Sequence, residues 1–182
     1  MSKRALILID IQNDYFADGK WPLAGMHTAA ANAARVLAAA RAAGDKVIHV
    51  RHEFEAEDAP FFAPGSDGAR THASVLPQAD EAVVLKHQVN AFLGTDLKAQ
   101  LDAAAIEQVT LVGAMSHMCI AAAARASADF GYVTTVVHDA CATHDQTFDG
   151  ITVAAAQVHA ANMAALAFAY AQVVSTEQYL PG

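Results

Sequence analysis

Short apolar runs alternate along this chain with longer stretches whose apolar residues recur at helical spacing. Residues 5–9 (ALILI) are a β-branched run that ends at Asp10 and reads as a buried strand. Similar runs at 47–50, 82–85, 109–112, 133–137 and 172–175 predict five more strands. Between them, residues 28–43 predict an alanine-rich helix stopped by Gly44, and 96–105 a short helix carrying Leu97 and Leu101 on one face. Residues 118–129 and 149–170 predict two more helices. Strand and helix therefore alternate, which predicts an α/β fold: a three-layer, doubly wound, Rossmann-like sheet of about six mainly parallel strands. Residues 53–80 show no such pattern and carry Phe61, Phe62 and three prolines. A segment that long is either a functional lid or pocket wall, or a surface loop.

Length and charge narrow the possibilities. A chain of 182 residues suits one domain, expected over 1–182. Its apolar excess lies in alanine, and no window approaches the roughly 18–20 uninterrupted apolar residues of a membrane span. The opening Met1-Ser2-Lys3-Arg4 precedes too short an apolar run for a signal peptide. With two cysteines, a disulfide scaffold is not expected and the reducing cytoplasm is. A net charge of −8 without clustered Lys or Arg argues against nucleic acid as a partner.

In open α/β sheets ligands bind beyond the carboxyl ends of the strands. Asp10 stands there after the first strand, Arg51-His52 after the second and Lys86-His87 after the third. The segment Gly113 to Cys119 follows the fourth, and His138 to Cys141 the fifth. Cys119 falls in the first turn of an expected helix, where free N–H groups and the helix dipole favour a thiolate. Those N–H groups, with that of Met115 in the preceding turn, suit an oxyanion. Cys119 is thus either a nucleophile or an inert buried thiol; Cys141 has no helix start beside it and reads as core. A carboxylate at Asp10 and an ammonium at Lys86, each ending a buried strand, both need partners. An Asp–Lys–Cys set would satisfy both. With strand order 3-2-1-4, however, Lys86 starts about two strand spacings, roughly 10 Å, from Asp10.

Three segments, LILIDIQNDYF at the first strand, KHQVNAFLGTDL after the third and GAMSHMCI after the fourth, resemble the isochorismatase-like cysteine hydrolase superfamily. That group includes nicotinamidases, N-carbamoylsarcosine amidohydrolase, and ureidoacrylate and streptothricin hydrolase-like proteins. The resemblance implies Asp10 as general base, Lys86 as the cation that helps ionise the thiol, and Cys119 as the nucleophile that forms a thioester. It also implies a cis peptide between Ala114 and Met115, and a homo-oligomer. Metal-dependent relatives carry an Asp-x-His pair after the second strand; this chain has His52 and Phe54 there. Neither a metal nor another cofactor is expected.

Four further residues are candidates for substrate contact: Phe16, Trp21, His52 and His117. Packing for the first two, a satisfied structural role for His52 and turn capping for His117 are the alternatives. Asn13 and Asp14 are expected to brace the loop after Asp10 through side-chain to backbone bonds. The expected partner is a small-molecule amide, cleaved at its C–N bond. A vinyl-ether hydrolase of isochorismatase type, or a ligand-binding protein on the same fold, are the competing readings.

Overall fold

Both side-chain sets of the first apolar run are buried, which is why it is continuous rather than alternating. The structure, a computed structural model, describes residues 3–180. Met1 and Ser2, on which the reading of the chain's opening partly rests, and Pro181 and Gly182, at the far end of the expected domain, lie outside the described residues. Strand β1 (Arg4–Ile9) sends Leu6 and Leu8 into one apolar cluster and Ile7 and Ile9 into another. The first cluster is covered by helix α1 (Met26–Ala43) through Ala30, Ala33, Val36, Leu37 and Ala40. The second receives Leu97 and Leu101 of α2 (Leu97–Ala103), Ala123 and Ala124 of α3 (Ala121–Asp129), and Met163 and Leu166 of α4 (Ala155–Ala169). Small alanine faces let these helices lie close to the sheet.

The remaining strands are β2 (Lys46–His52), β3 (Ala82–Lys86), β4 (Gln108–Ala114), β5 (Val133–Ala142), β6 (Gln146–Phe148), β7 (Ile151–Val153) and β8 (Gln172–Val174). Five of them join β1 in one sheet, in the order β3-β2-β1-β4-β5-β8, every pairing parallel. This is the three-layer, Rossmann-like α/β fold that the alternation predicts. Chain order reverses between β1 and β4, so the crevice expected for a ligand opens beyond their carboxyl ends.

Three elements depart from the expectations. The helix predicted over 149–170 starts only at Ala155, because β6 and β7 form an antiparallel hairpin across Asp149 (φ 49°) and Gly150 (φ 74°). An Asp-Gly pair is a strong hairpin turn, and it overrides the helical preference of the alanines after it. Strand β5 continues to Ala142, so His138 to Cys141 lie within it rather than after it. The pairing with β4 jumps between Leu111 and Gly113, and this irregularity absorbs the extra length. Finally, the helix expected from residue 118 is preceded by a π-helical turn, Ser116–Ile120, before α3 begins. Beyond the sheet a short helix α5 (Thr176–Tyr179), not anticipated, is started by a Ser175–Gln178 capping box.

The patternless segment 53–80 lies along the loop that follows β1. Backbone bonds run from Asn13 N to Arg70 O (3.1 Å), Asp14 N to Gly68 O (3.0 Å) and His72 N to Ile11 O (2.9 Å). Asp14 Oδ2 accepts from Phe62 N at 2.7 Å and Oδ1 from Lys20 N at 3.1 Å, while Asn13 Nδ2 donates to Asp67 O at 2.8 Å. Asn13 and Asp14 thus brace this loop as expected, by tying it to the long segment.

Candidate active site

Each of the first three strands leads to a polar residue that the interior cannot leave alone. Asp10 follows β1 with a left-handed backbone (φ 53°), His52 ends β2 and Lys86 ends β3. His52 and Lys86 are register partners, and β2 lies between β3 and β1. Cys119 comes from the π-helical turn after β4. A wider turn of this kind is frequent at functional sites.

These side chains meet in the interior: Asp10 and Lys86 are wholly buried and Cys119 is 5% exposed. Lys86 Nζ lies 2.8 Å from Asp10 Oδ2, 3.3 Å from Cys119 Sγ and 2.8 Å from His52 Nδ1. The gap of two strand spacings is closed by the lysine side chain, with the imidazole of the middle strand beside it. The Ala114–Met115 peptide is cis, at the point where β4 leaves the sheet for the turn carrying Cys119.

The electrostatics follow from burial. Loss of solvent pushes the Cys119 thiol up to about 12; the Asp10 carboxylate adds to this and Lys86 opposes it. Burial also raises the Asp10 carboxyl above its ordinary range, though Lys86 pulls it back. For Lys86 burial works against the ammonium, but Asp10 and Cys119 outweigh it and hold the pKa above that of a free lysine. The arrangement holds a protonated thiol beside a carboxylate whose proton affinity is enhanced. Tyr15 is buried nearby, its pKa raised by desolvation and then by the charges of Asp10, Cys119 and Asp14.

The other candidates occupy different surroundings. Trp21 is partly exposed, stacked on Phe61 (centroids 4.8 Å apart) and edge-on to His144 (5.7 Å). His117 bonds Thr143 Oγ1 through Nδ1 at 2.7 Å and meets the His144 ring at 5.8 Å. Phe16 is buried, stacked on His72 at 3.6 Å with His27 edge-on at 5.1 Å. His52 is buried against Phe54 (4.6 Å) and bonded to Lys86. Cys141 is buried in the core, its Sγ 3.4 Å from Val137 O. Among the described residues no three His, Cys, Asp or Glu side chains converge on a metal position.

Sequence reasoning passed over Gln12. Its buried amide donates to His52 O and Ala69 O (both 2.8 Å) and accepts from His52 N (2.8 Å), clasping β2 to the long segment. A glutamine directly after a buried strand was the available signal, since such an amide needs three or four partners.

Comparison with known proteins places the chain in a family. The family model described as the Isochorismatase domain matches residues 4–178. The chain belongs to the isochorismatase family. An isochorismatase family protein of Bacillus subtilis, YddQ, is 45% identical over 176 residues, covering 97% of this chain and 98% of that one. A solved structure from Oleispira antarctica, assigned to isochorismatase hydrolases, shares 57% identity with a TM-score of 0.95, over 98% of this chain and 96% of its own. A maleamate amidohydrolase of Pseudomonas putida is 32% identical over 155 residues, 75% of this chain and 71% of its own length. This isochorismatase-family chain is therefore akin to hydrolases, amidohydrolases among them.

Proposed function

We propose that the protein hydrolyses a C–N amide bond of a small, non-peptide substrate, with Asp10, Lys86 and Cys119 as catalytic residues. The observation that carries this reading is the buried contact of Lys86 Nζ with Asp10 Oδ2 at 2.8 Å and Cys119 Sγ at 3.3 Å. Asp10 takes the thiol proton, and Lys86 stabilises the thiolate left behind. The sulfur attacks the carbonyl carbon, and the oxyanion is held by the backbone N–H groups of Met115 and Cys119. Asp10 passes its proton to the departing nitrogen as the C–N bond breaks, leaving a thioester. Asp10 then takes a proton from water, which attacks the thioester; the acid leaves and the thiol regains its proton. Every atom moved comes from substrate, water or these residues, so the cycle needs no metal or cofactor. A vinyl-ether hydrolysis would leave Cys119 idle, and nothing in the geometry favours it over the amide reading.

Trp21 and His117 are read as substrate-facing, since one carries an exposed ring and the other sits two residues before the nucleophile. Residues 1–182 are read as one domain, cytoplasmic and self-associating; the six-stranded sheet, built from both halves of the chain, supports the first. No helix among the described residues is long and apolar enough to cross a membrane.

The test is a screen of small primary amides and ureido acids, followed by mass spectrometry of the quenched reaction. Acyl mass on Cys119 is expected, and Cys119→Ala should lower kcat/KM by at least about 1,000-fold with the fold intact. Full turnover in Cys119→Ser would sink the thioester.

A further inference from the structure

A lysine ammonium has three N–H donors and no acceptor, and the site offers it three acceptors. His52 Nδ1 at 2.8 Å and Cys119 Sγ at 3.3 Å are hydrogen-bonded to it, and Asp10 Oδ2 at 2.8 Å is its ion-pair partner. Nδ1 of His52 must therefore present its lone pair to Lys86, which places the ring proton on Nε2. The imidazole is well fixed for this. Gln12 holds the His52 backbone on both sides, and the rings of Phe54 and Phe62 lie 4.6 and 6.2 Å away.

We propose that His52 is a positioning residue: its neutral imidazole anchors the Lys86 ammonium through Nδ1, so that the two remaining N–H bonds point at the Asp10 carboxylate and the Cys119 sulfur. This rests on the reading of Cys119 as a nucleophile. Neutrality is the property that matters, since a second cation would repel the first. Burial, then the charges of Lys86 and His87, push the imidazole pKa down to about 3, so it stays uncharged under any ordinary condition. The titratable groups that act on it are Lys86 at the end of β3 and His87 just after it; Asp10 after β1 and Cys119 on the π-helical turn meet the same Lys86 ammonium. Without the Nδ1 acceptor, a buried ammonium would keep one N–H unpaired and lose its fixed direction. Thiolate formation would then move to higher pH.

The other nitrogen supplies the contrast. Nε2 is buried and has no partner among the described residues, so a direct role of His52 towards substrate would run through it. Asparagine places its Oδ1 where Nδ1 stands; glutamine places its amide nitrogen where Nε2 stands. The experiment measures the rate of alkylation of Cys119 by iodoacetamide across roughly pH 5 to 11 on the full chain, with the modified peptide mapped by mass spectrometry. Wild type, His52→Asn, His52→Gln and His52→Leu are compared, with circular dichroism to follow folding. Because the thiol lies at about 12, above this range, the shift is read as the rate at each pH. The glutamine and leucine variants are expected to alkylate about tenfold more slowly or worse, as for a rise of about one unit, and the asparagine variant to stay close to wild type. An unshifted leucine variant, or a glutamine variant matching wild type while asparagine does not, overturns the proposal. Should the leucine variant not fold, the asparagine–glutamine contrast decides. Alkylation needs no substrate, so an unshifted profile on a reactive Cys119 sinks the positioning role alone. A wild-type Cys119 inert at every pH sinks the nucleophile with it.

Discussion

Gly113 of β4 pairs with Ile9 of β1, and its backbone (φ 127°) is one that side chains rarely tolerate. A Cβ built there would stand 1.9 Å from Ile9 O, the carbonyl directly before Asp10. Gly113→Ala must therefore push apart the two strands that lead into Asp10 and into the turn carrying Cys119. A loss of about 3 kcal/mol or more is expected in urea unfolding, with activity falling further than stability. A stability within about 0.5 kcal/mol of wild type would show that the strands can separate freely. At this scale much of the site was legible. Asp10 and Lys86 stood out because a charge ending a buried strand needs a partner, and Cys119 because of its place at a helix start. His52 showed less, since its contact with Lys86 depends on strand register, which the chain pattern does not encode. Gln12 was missed for the same reason: its partners, His52 and Ala69, are remote in the chain.

Between elements, Glu81 joins three pieces of structure just before β3. Its carboxylate takes a two-pronged contact from Arg41 in the last turn of α1 (2.7 and 2.8 Å) and lies 2.9 Å from His49 Nε2 of β2. It also accepts from Gln78 N at 2.8 Å. The Arg41 hydrogen bonds, helped by Gln78 and His49 and opposed by burial, hold its pKa down at about 2 against an ordinary 4.5. A carboxyl with a depressed native pKa stabilises the fold above its unfolded value. That contribution is lost as pH falls from about 4.5 towards 2. Glu81→Gln is expected to cost on the order of 2–3 kcal/mol at neutral pH and to flatten the acid limb of stability over that window. Urea midpoints measured from neutral to acid pH check both; an unchanged acid limb would mean the carboxylate is equally well solvated when unfolded. Element by element, the strands were legible where β-branched runs end in a charge. The β6–β7 hairpin was not, because alanines beyond Gly150 extend a helical pattern backwards across an Asp-Gly turn. The full reach of β5 was hidden too, since an irregular pairing with β4 leaves no periodic mark.

For the whole molecule, charge and apolar surface pull in opposite directions. The chain carries 11 Lys and Arg against 19 Asp and Glu, so copies repel one another at neutral pH. Yet the fifteen residues of α4 contain none of these four types, and its outward positions are alanines, Gln157 and Phe168, the last 91% exposed. Phe148 (85%) and Ile151 (67%), on the hairpin immediately before it, are exposed as well. Apolar surface on this scale marks an interaction site more often than a free face. Self-association through it would overcome the repulsion by burying side chains that solvent now covers. Sedimentation equilibrium is expected to give a multiple of 19.0 kDa, and Phe168→Glu, which places one more negative charge per copy on this face, to give the single-chain mass with unchanged circular dichroism. A wild-type chain sedimenting as one copy at micromolar concentration would end this reading. The same helix reaches the turn that carries Cys119, since His159 Nδ1 lies 2.8 Å from Ser116 Oγ, three residues before it. If assembly braces α4, Phe168→Glu should therefore also broaden the pH dependence of Cys119 alkylation. A variant that dissociates with an unaltered alkylation profile would confine assembly to the surface and leave the buried Asp10–Lys86–Cys119 contact independent of it.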